Sequence, residues 1–369
     1  MKILMLIDRM ESGGAETHVE ALADALCADG DRVEVFSAGG RIADRLARRG
    51  IAQWKISPVR RSPWRFLLVR RMLKKLVERG DYDILHAHTR TMALLMRGLA
   101  GRGKKIGSVV TVHAAFGNFL WLSRLAFRSE RVIAVSEDLR KRGIEAFGIP
   151  AESISVIPNG IDSNVFCPSQ EIVGHQTVLF VSRLDEDCAL GAELLCKIAP
   201  RLIWKFPDLR ISVVGGGNAL DRIKALAENV NRECRKMVGR DVIMMLGGVE
   251  DMASLYREHR IFVGASRAAM EAAVCGCAVI LCGNEGRGGV LTLGRLLTDV
   301  DNLCSRGEAL PNDAWLEREL RFLLENERRT AHLAEIGRAW VQKHRGIGEV
   351  ARQTRRVYET LCGAEGETV

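Results

Sequence analysis

Short β-branched runs alternate with stretches of helical periodicity along most of this chain, and this alternation limits the fold more than any other feature. Strands that alternate with helices form βα units and therefore a parallel sheet. After Gly14, apolar residues recur at helical spacing, and Gly30 follows where glycine commonly ends a helix. The predicted strands of the first half are residues 3–7, 33–36, 84–85, 109–112, 132–135 and 154–157.

A second series of the same kind follows a break at residues 158–168, a segment rich in turn-forming residues. Residues 314–361 then read as helices without further strands. The architecture of the first half therefore repeats in the second. The predicted strands of the second series are residues 178–181, 211–214, 242–246, 261–263 and 278–281.

With 369 residues the chain is long enough for two domains with separate cores. We expect an α/β protein of two Rossmann-like domains, each with a parallel sheet. The expected ranges are 1–165 for the N-terminal domain, 166–340 for the C-terminal domain, and 341–369 for a helical segment at the domain junction.

Composition excludes several classes of protein. The ten cysteines have no repeating framework, so we expect reduced thiols in a cytoplasmic protein, and Cys275 and Cys277 lack the further ligands of a zinc site. No apolar run reaches the roughly 20 residues of a membrane-spanning helix. The net charge of +8 suits anionic partners, but no recognition module accompanies it, so we expect no nucleic-acid partner.

Glycines and a histidine mark two loops of the first half. Gly13 and Gly14 open a helix with Glu16 in its first turn, where free amides can meet an anion, although a tight turn also explains the glycine pair. The loop lacks the Gly-x-Gly-x-x-Gly spacing, which argues against an NAD enzyme. His113 ends a predicted strand and is a candidate site residue, whereas His86 and His88 read as packed or surface histidines.

Two charged residues mark the second half. Arg183 follows its first strand, where a cation can hold a diphosphate and stabilise the charge on a leaving group. Glu271 lies in the opening turns of a predicted helix, where a carboxylate that points into the crevice can accept both hydroxyls of a ribose. The alternatives are an ordinary surface arginine and a glutamate favoured by the helix dipole.

In order and spacing, these residues and their neighbours resemble the family 4 glycosyltransferases, from the N-terminus to about residue 305. Each motif is short, but together they run in register. The matching segments are residues 13–16, His113, residues 136–137, 156–162, 182–184, 214–217, 246–247 and 271–276.

The resemblance implies the GT-B architecture, in which the parallel sheets of an acceptor-side domain (1–165) and a nucleotide-sugar-binding domain (166–340) face each other across a central cleft. It also implies a retaining hexosyltransferase that needs no metal or other cofactor. It implies a nucleotide-diphosphate sugar donor, UDP by family habit, and an acceptor hydroxyl in cell-envelope or polysaccharide assembly. Retention in this family is assigned to departure and attack on one face, so no enzymic nucleophile is expected. No residue is assigned to a metal.

The resemblance also assigns roles to individual residues. His113 lies beside the donor sugar and, with Arg183 on the diphosphate, forms the catalytic pair. Glu271 binds the ribose, and the Gly13–Gly14 loop faces donor phosphate or acceptor. The predicted substrate-binding residues are Gly13, Gly14, Glu16, Asn159, Arg183, Gly216, Arg267, Glu271, Glu285 and Gly286.

Two departures from the family pattern affect the residues that are expected to bind the diphosphate. Cys188 stands where the family has a lysine, and Val263 stands where it has a glutamate. We consider two replacements: Arg267, which is equally consistent with a surface arginine, and an anion nest in the glycine-rich residues 283–289, with Glu285 addressing sugar hydroxyls. The alternative function is a catalytically impaired family member that acts as a binding or scaffolding subunit.

A basic, aromatic segment suggests how the acceptor is reached. Residues 60–79 contain eight basic residues and one acid, with Trp64, Phe66, Leu67 and Leu68 interleaved. Such a helix suits an anionic membrane surface, and the apolar residues 116–127 follow His113. A lipid-linked acceptor at the inner membrane face fits both, whereas a solvated helix face beside a core helix is the alternative.

Overall fold

The computed structural model describes residues 1–11, 13–59, 62–99, 106–114, 120–169, 174–305 and 309–363. They form two compact units: unit 1 is Met1–Gly160 with Arg345–Val369, and unit 2 is Ile161–His344. Among the described residues, no helix combines the length and the apolar character needed to cross a membrane.

Unit 1 is built on a seven-stranded parallel sheet with the order β3-β2-β1-β4-β5-β6-β7. Its strands are β1 (Lys2–Leu6), β2 (Arg32–Ser37), β3 (Ala52–Lys55), β4 (Ile84–Ala87), β5 (Gly107–Val112), β6 (Arg131–Ala134) and β7 (Ile154–Val156). Its helices are α1 (Gly14–Ala28), α2 (Arg41–Arg48), α3 (Pro63–Gly80), α4 (Arg90–Met96), α5 (Leu120–Ala126), α6 (Glu137–Glu145), a short 3₁₀ turn (Ala151–Ser153) and α14 (Ile347–Cys362).

Unit 2 has a six-stranded sheet with the order β10-β9-β8-β11-β12-β13, in which β13 alone runs antiparallel to its neighbour. Its strands are β8 (Thr177–Val181), β9 (Arg210–Val214), β10 (Ile243–Gly247), β11 (Ile261–Gly264), β12 (Ala278–Gly283) and β13 (Gly286–Val290). Its helices are α7 (Leu190–Ile203), α8 (Leu220–Val238), α9 (Met252–Arg257), α10 (Ser266–Val274), α11 (Leu293–Leu297), α12 (Asp313–Leu324) and α13 (Glu327–Arg345), which ends one residue into unit 1.

Both sheets are buried on their two faces, because successive side chains of a strand point to opposite sides. In β1, Ile3 and Met5 join one core cluster while Leu4 and Leu6 join another. In β11, Ile261 lies in one cluster of unit 2 and Phe262 in the other. The two Rossmann-like units expected from the strand and helix pattern are confirmed.

The observed unit boundaries differ from the expected ranges by a few residues. The first unit ends at Gly160, because the side chain of Ile161 is fully buried in a core cluster of unit 2. The C-terminal helix α14 is part of unit 1, where Val350, Ala351 and Tyr358 join the core on one face of its sheet. Sequence patterns also missed two strands, β3 and the antiparallel β13.

Candidate active site

The predicted ligand-binding residues of unit 2 gather at the carboxyl edge of its sheet. Arg183 follows β8, Gly216 follows β9, and Glu285 follows β12. Glu271 lies on α10, the helix after β11. Ligands of open α/β sheets bind at this edge, so topology places these residues where a ligand is expected.

A cavity of about 300 Å³ opens at this edge within unit 2. Its lining includes Arg183, Cys188, Ser266 and Glu285. The Arg183 side chain is 72% exposed and contacts Asp185 Oδ2 at 3.5 Å. An exposed guanidinium beside a cavity is suited to bind an anionic group.

The side chain of Cys188 contacts the guanidinium of Arg183. Arg183 Nη2 donates to its Sγ over 3.6 Å. Burial raises the pKa of the Cys188 thiol, although the charge of Arg183 opposes the shift. The thiol is therefore uncharged at neutral pH and does not supply the positive charge that the family lysine would bring.

The glycines after β9 are explained mainly by close packing against the segment that carries Arg183. Gly215 has φ 141°, and a Cβ there would collide with the carbonyl oxygen of Ser182. A Cβ at Gly217 would meet the backbone of Leu184 at 2.4 Å. Gly216 differs, because no described atom lies within 4 Å of such a Cβ. Of the three, Gly216 is the one with room for a ligand.

Glu271 and Arg267 form a buried ion pair on α10. Arg267 Nε donates to Glu271 Oε1 over 2.8 Å, and each side chain is 11% exposed. The hydroxyl of Tyr256 donates to Oε2 over 3.2 Å. Burial raises the pKa of Glu271, and the charge of Arg267 partly offsets this. The interpretation of Arg267 as a surface arginine is therefore wrong.

Residues 283–289 do not form the consecutive-glycine anion nest considered from the sequence. Gly286–Val290 is strand β13, and Asn284 and Glu285 form the turn that joins it to β12. The glycines permit close packing, since a Cβ at Gly283 would lie 2.8 Å from the carbonyl oxygen of Cys304. Gly286 is buried in the hairpin, whereas Glu285 is exposed beside the cavity.

Val263, which stands where the family has a glutamate, is in β11 and is fully buried.

The predicted anion loop of unit 1 begins α1. Gly13 is its N-cap residue, and the carboxylate of Glu16 folds back over it, so that a Cβ at Gly13 would collide with that carboxylate. Glu16 is three residues after the cap, the position from which a carboxylate reaches back to the cap amide. At Gly14, no described atom lies within 4 Å of the place that a Cβ would take. The Glu16 carboxylate therefore lies over the first turn of α1.

Asp8 was not recognised as a candidate in the sequence. It follows β1, and burial raises the pKa of its carboxyl, although the hydroxyls of Thr89 and Thr91 hydrogen-bond to it. A carboxyl with a perturbed pKa at the ligand edge of a sheet is a functional-site candidate. Its place at the end of the first strand was the only sequence clue.

Histidines from three elements meet at the carboxyl edge of the sheet in unit 1. His113, half-buried after β5, has its Nε2 3.2 Å from Nδ1 of His88. His88 is buried, and so is His86, whose ring nitrogens lie 2.7 Å from the hydroxyls of Tyr358 and Thr111. Both His86 and His88 therefore lie in the interior and not on the surface. The sequence did not reveal that His18 of α1 joins His88 and His113.

Burial also shifts the protonation of these histidines. It lowers the pKa of His86 to about 3, and the charge of His113 adds to the effect. Burial likewise lowers the pKa of His88. Both rings are therefore neutral at physiological pH.

Asn159 follows β7 in unit 1, and its side chain is 8% exposed. Its Oδ1 is buried and has no hydrogen-bond partner among the described residues. Buried polar atoms are normally paired, so an unpaired acceptor here is consistent with a substrate contact. Asn159 therefore stays a candidate.

Helix α3 exposes large apolar side chains. Trp64 is 81% exposed, Leu68 54% and Met72 43%, and they follow one another at four-residue spacing on one face. Arg71 and Lys75 are exposed on the same helix. The acceptor region expected from the sequence also includes four residues that lie outside the described ones, namely Arg60, Arg61, Phe116 and Phe119.

Comparisons with known proteins cover both units. The model of Glycosyltransferase Family 4 matches residues 12–165, and that of Glycosyl transferases group 1 matches residues 175–308. A phosphatidyl-myo-inositol mannosyltransferase of Mycobacterium tuberculosis is 27% identical over 391 aligned positions, which cover 95% of this chain and 94% of that protein.

Solved structures agree on the fold. A glycosyltransferase from Rickettsia africae superposes with a TM-score of 0.76 at 17% identity, over 99% of each chain. Anabaena HepE in complex with UDP superposes with a TM-score of 0.75 at 19% identity, over 98% of this chain and 100% of that one. Taken with the two family models, these matches show that the chain is a glycosyltransferase of family 4 with the GT-B fold.

Proposed function

We propose that the protein transfers a hexosyl group from a nucleoside-diphosphate sugar to an acceptor hydroxyl, with retention of configuration and without a metal ion on the diphosphate. The observation that carries this proposal is the exposed guanidinium of Arg183 at the 300 Å³ cavity of unit 2. A diphosphate is the ligand whose charge and geometry best suit an arginine in that position.

The donor is assigned to unit 2. Arg183 binds the diphosphate, Glu271 accepts the ribose hydroxyls, and Gly216, Glu285 and Gly286 border the sugar and phosphates. The pairing of Glu271 with Arg267 and Tyr256 is compatible with this role, because a carboxylate has about four lone-pair sites. UDP is the proposed nucleotide. The resemblance to family 4 implies UDP, and the structure of Anabaena HepE contains it.

In the proposed reaction, the bond between the anomeric carbon and the phosphate oxygen breaks while the acceptor oxygen attacks from the same face, and the proton of the acceptor hydroxyl passes to the departing phosphate oxygen. The negative charge that develops on the departing phosphate is stabilised by Arg183. His113 of unit 1 is assigned to the sugar and acceptor. No protein nucleophile takes part.

The proposed acceptor is a lipid-linked hydroxyl at the cytoplasmic face of a membrane. Two observations support this: the apolar face of α3 with its neighbouring basic residues, and the relatives named as transferases that act on phosphatidylinositol lipids. Trp64 and Leu68 are suited to enter the interface while Arg71 and Lys75 meet anionic headgroups.

Donor turnover tests the proposal. Purified protein is expected to release UDP slowly from a UDP-sugar in the presence of a chelator, and UDP is expected to raise its melting temperature. Arg183→Ala should lower turnover by about 100-fold, a loss typical for one stabilising donor at a developing charge. Arg232→Ala, at an exposed position of α8, is the control and should match the wild type. Unchanged turnover in Arg183→Ala would contradict the proposal.

Cys188 and Val263 favour a second candidate, a binding or scaffolding subunit with little turnover. Among the described residues that line the cavity, Arg183 is the one cation, since Cys188 is uncharged, and buried Val263 supplies no carboxylate. Cys188→Lys tests whether the missing charge weakens nucleotide binding. If charge is what limits the site, this variant should gain roughly tenfold in UDP affinity, since a charged hydrogen bond contributes about 1.5–3 kcal/mol. Turnover by the wild type excludes scaffolding as the whole function.

A further inference from the structure

Three histidines from separate parts of unit 1 bring their ring nitrogens together. His18 lies in the second turn of α1, His88 directly follows β4, and His113 directly follows β5. One ligand nitrogen from each lies within 4.8 Å of those of the other two. They are separated by 70 and 25 positions along the chain but share one corner of the fold.

The sheet order accounts for this meeting. β4 lies between β1 and β5, and all three run parallel, so their carboxyl ends share one edge. α1 begins at the edge where β1 ends, and the order of strands reverses direction between β1 and β4. Ligands of doubly wound sheets bind at such a point.

The position of the central ring, His88, is fixed. The His86 ring packs against it with centroids 4.1 Å apart, and His86 is itself held by Tyr358 and Thr111. His88 is 2% exposed and His18 is 3% exposed. Nδ1 of His88 lies 3.2 Å from Nε2 of His113, so these two nitrogens are the pair that one ion can share.

The donor set selects the kind of ion. Three imidazoles without thiolate or carboxylate suit zinc and its first-row neighbours and not calcium or magnesium, which prefer oxygen. Zinc–nitrogen bonds of about 2.0–2.1 Å in a tetrahedron place two nitrogens about 3.4 Å apart. The His88–His113 pair is already 3.2 Å apart, so rotations of the rings that close the remaining gaps complete the set.

We propose that His18, His88 and His113 form a Zn²⁺ site in unit 1, with the fourth position open on the half-buried His113 side. This departs from the expectation that no residue of the chain binds a metal. It also goes beyond the proposed function, because the site needs neither donor nor acceptor to bind the ion. Since His113 is assigned to the sugar and acceptor, Zn²⁺ inhibits transfer by occupying it.

Cobalt spectroscopy tests the site independently of catalysis. The full-length protein is stripped with a chelator, dialysed and titrated with Co²⁺, whose visible absorption is intense when the ion is four-coordinate. We expect saturation at one equivalent and loss of the band on adding one equivalent of Zn²⁺. His18→Gln and His88→Ala should each weaken Co²⁺ binding by more than about 100-fold, because even second-shell substitutions cost 10–100-fold.

His332→Ala, on the exposed face of α13, is the matched control and should titrate like the wild type. Circular dichroism of the metal-free variants checks folding, and His18→Gln guards against a fold defect in His88→Ala. The proposal is overturned if the folded wild type shows no saturable four-coordinate band, or if His18→Gln keeps the wild-type affinity. Either result would leave the donor-turnover test unaffected, whereas a failed turnover test with normal Co²⁺ binding would reject only the proposed transferase reaction.

Discussion

At the scale of single residues, the buried Arg267–Glu271 pair on α10 depends on both of its charges being present. Glu271 is held by Arg267 and Tyr256, and burial raises its pKa. A buried carboxylate stays charged only while its partners remain. Without them, nothing offsets the free-energy cost of removing the charge from water. The ribose-binding role proposed for Glu271 therefore depends on Arg267 for its charge and orientation.

Arg267→Met should destabilise unit 2 by about 3–5 kcal/mol, the usual cost of leaving a buried charge unpaired. Lys205→Met is the matched control, since the Lys205–Glu325 pair is exposed at both ends and should contribute little to stability. Chemical denaturation measures both. Equal effects of the two substitutions would show that the burial of the α10 pair has no energetic consequence.

At the scale of elements, helix α3 divides its side chains between two environments. Val69, Leu73 and Val77 are buried in the core of unit 1, whereas Trp64, Leu68 and Met72 face outward. Arg70 is occupied within the fold, because its guanidinium donates to carbonyl groups at the end of α4. The outer apolar side chains have no comparable role in the core.

Membrane binding through α3 is tested by co-sedimentation with vesicles. Trp64→Ser with Leu68→Ser should reduce binding to anionic phosphatidylserine vesicles by about tenfold or more, since each buried large side chain is worth roughly 1.5–3 kcal/mol. The double variant should keep the wild-type melting temperature, because both side chains are exposed. Arg232→Glu on α8 is a charge control. Undiminished vesicle binding by the double variant would reject α3 as the membrane surface.

Helix α14 packs closely against Gly160, the last residue of the segment Met1–Gly160 of unit 1. A Cβ at Gly160 would lie 2.6 Å from Ile347 Cδ1 and 3.0 Å from its Cα, so the helix backbone itself would have to move. Gly348, one residue further along α14, is in open space, because a Cβ there would have no described atom within 4 Å.

Gly160→Ala should therefore lower the stability of unit 1 by about 1–3 kcal/mol through overpacking. Gly348→Ala is the control in the same helix and should be neutral or stabilise by up to about 1 kcal/mol, because alanine favours helix. Thermal unfolding followed by circular dichroism separates the two. A stable Gly160→Ala protein would mean that α14 shifts at little cost.

At the scale of the whole molecule, the chain forms unit 1 from both of its ends. Residues 345–369 return to unit 1 after the chain has completed unit 2. Val350, Ala351 and Tyr358 complete a core there, and Tyr358 also hydrogen-bonds to His86. Unit 2, at residues 161–344, is continuous.

A chain truncated after His344 should keep unit 2 folded and lose the stability of unit 1. Hydrogen exchange should show protection remaining in β8 and β11 and collapsing in β1 and β5, because burial of α14 supplies part of one face of that sheet. Tyr358→Phe is the milder control and should cost about 1 kcal/mol for the lost hydrogen bond. Equal protection in both units of the truncated chain would contradict this division.

The sequence by itself determined the alternating strand and helix pattern, the two largely parallel sheets and the family. The spacing of apolar residues, the turn-forming residues and the short motifs are all encoded in short stretches of sequence. It also located Arg183 directly after a strand and Glu271 on a helix. β3 and β13 were missed: β3 is a short edge strand with mostly exposed residues, and β13 is glycine-rich, so neither shows a buried apolar run.

Only the tertiary structure decided which side chains meet. It paired Arg267 with Glu271, folded Glu16 over the helix cap, turned residues 283–289 into a hairpin and gathered His18, His88 and His113. These contacts join residues through strand order and helix packing, which local patterns do not encode. Strand ends predict where ligands bind, but the chemistry of the site depends on neighbours that are distant in sequence.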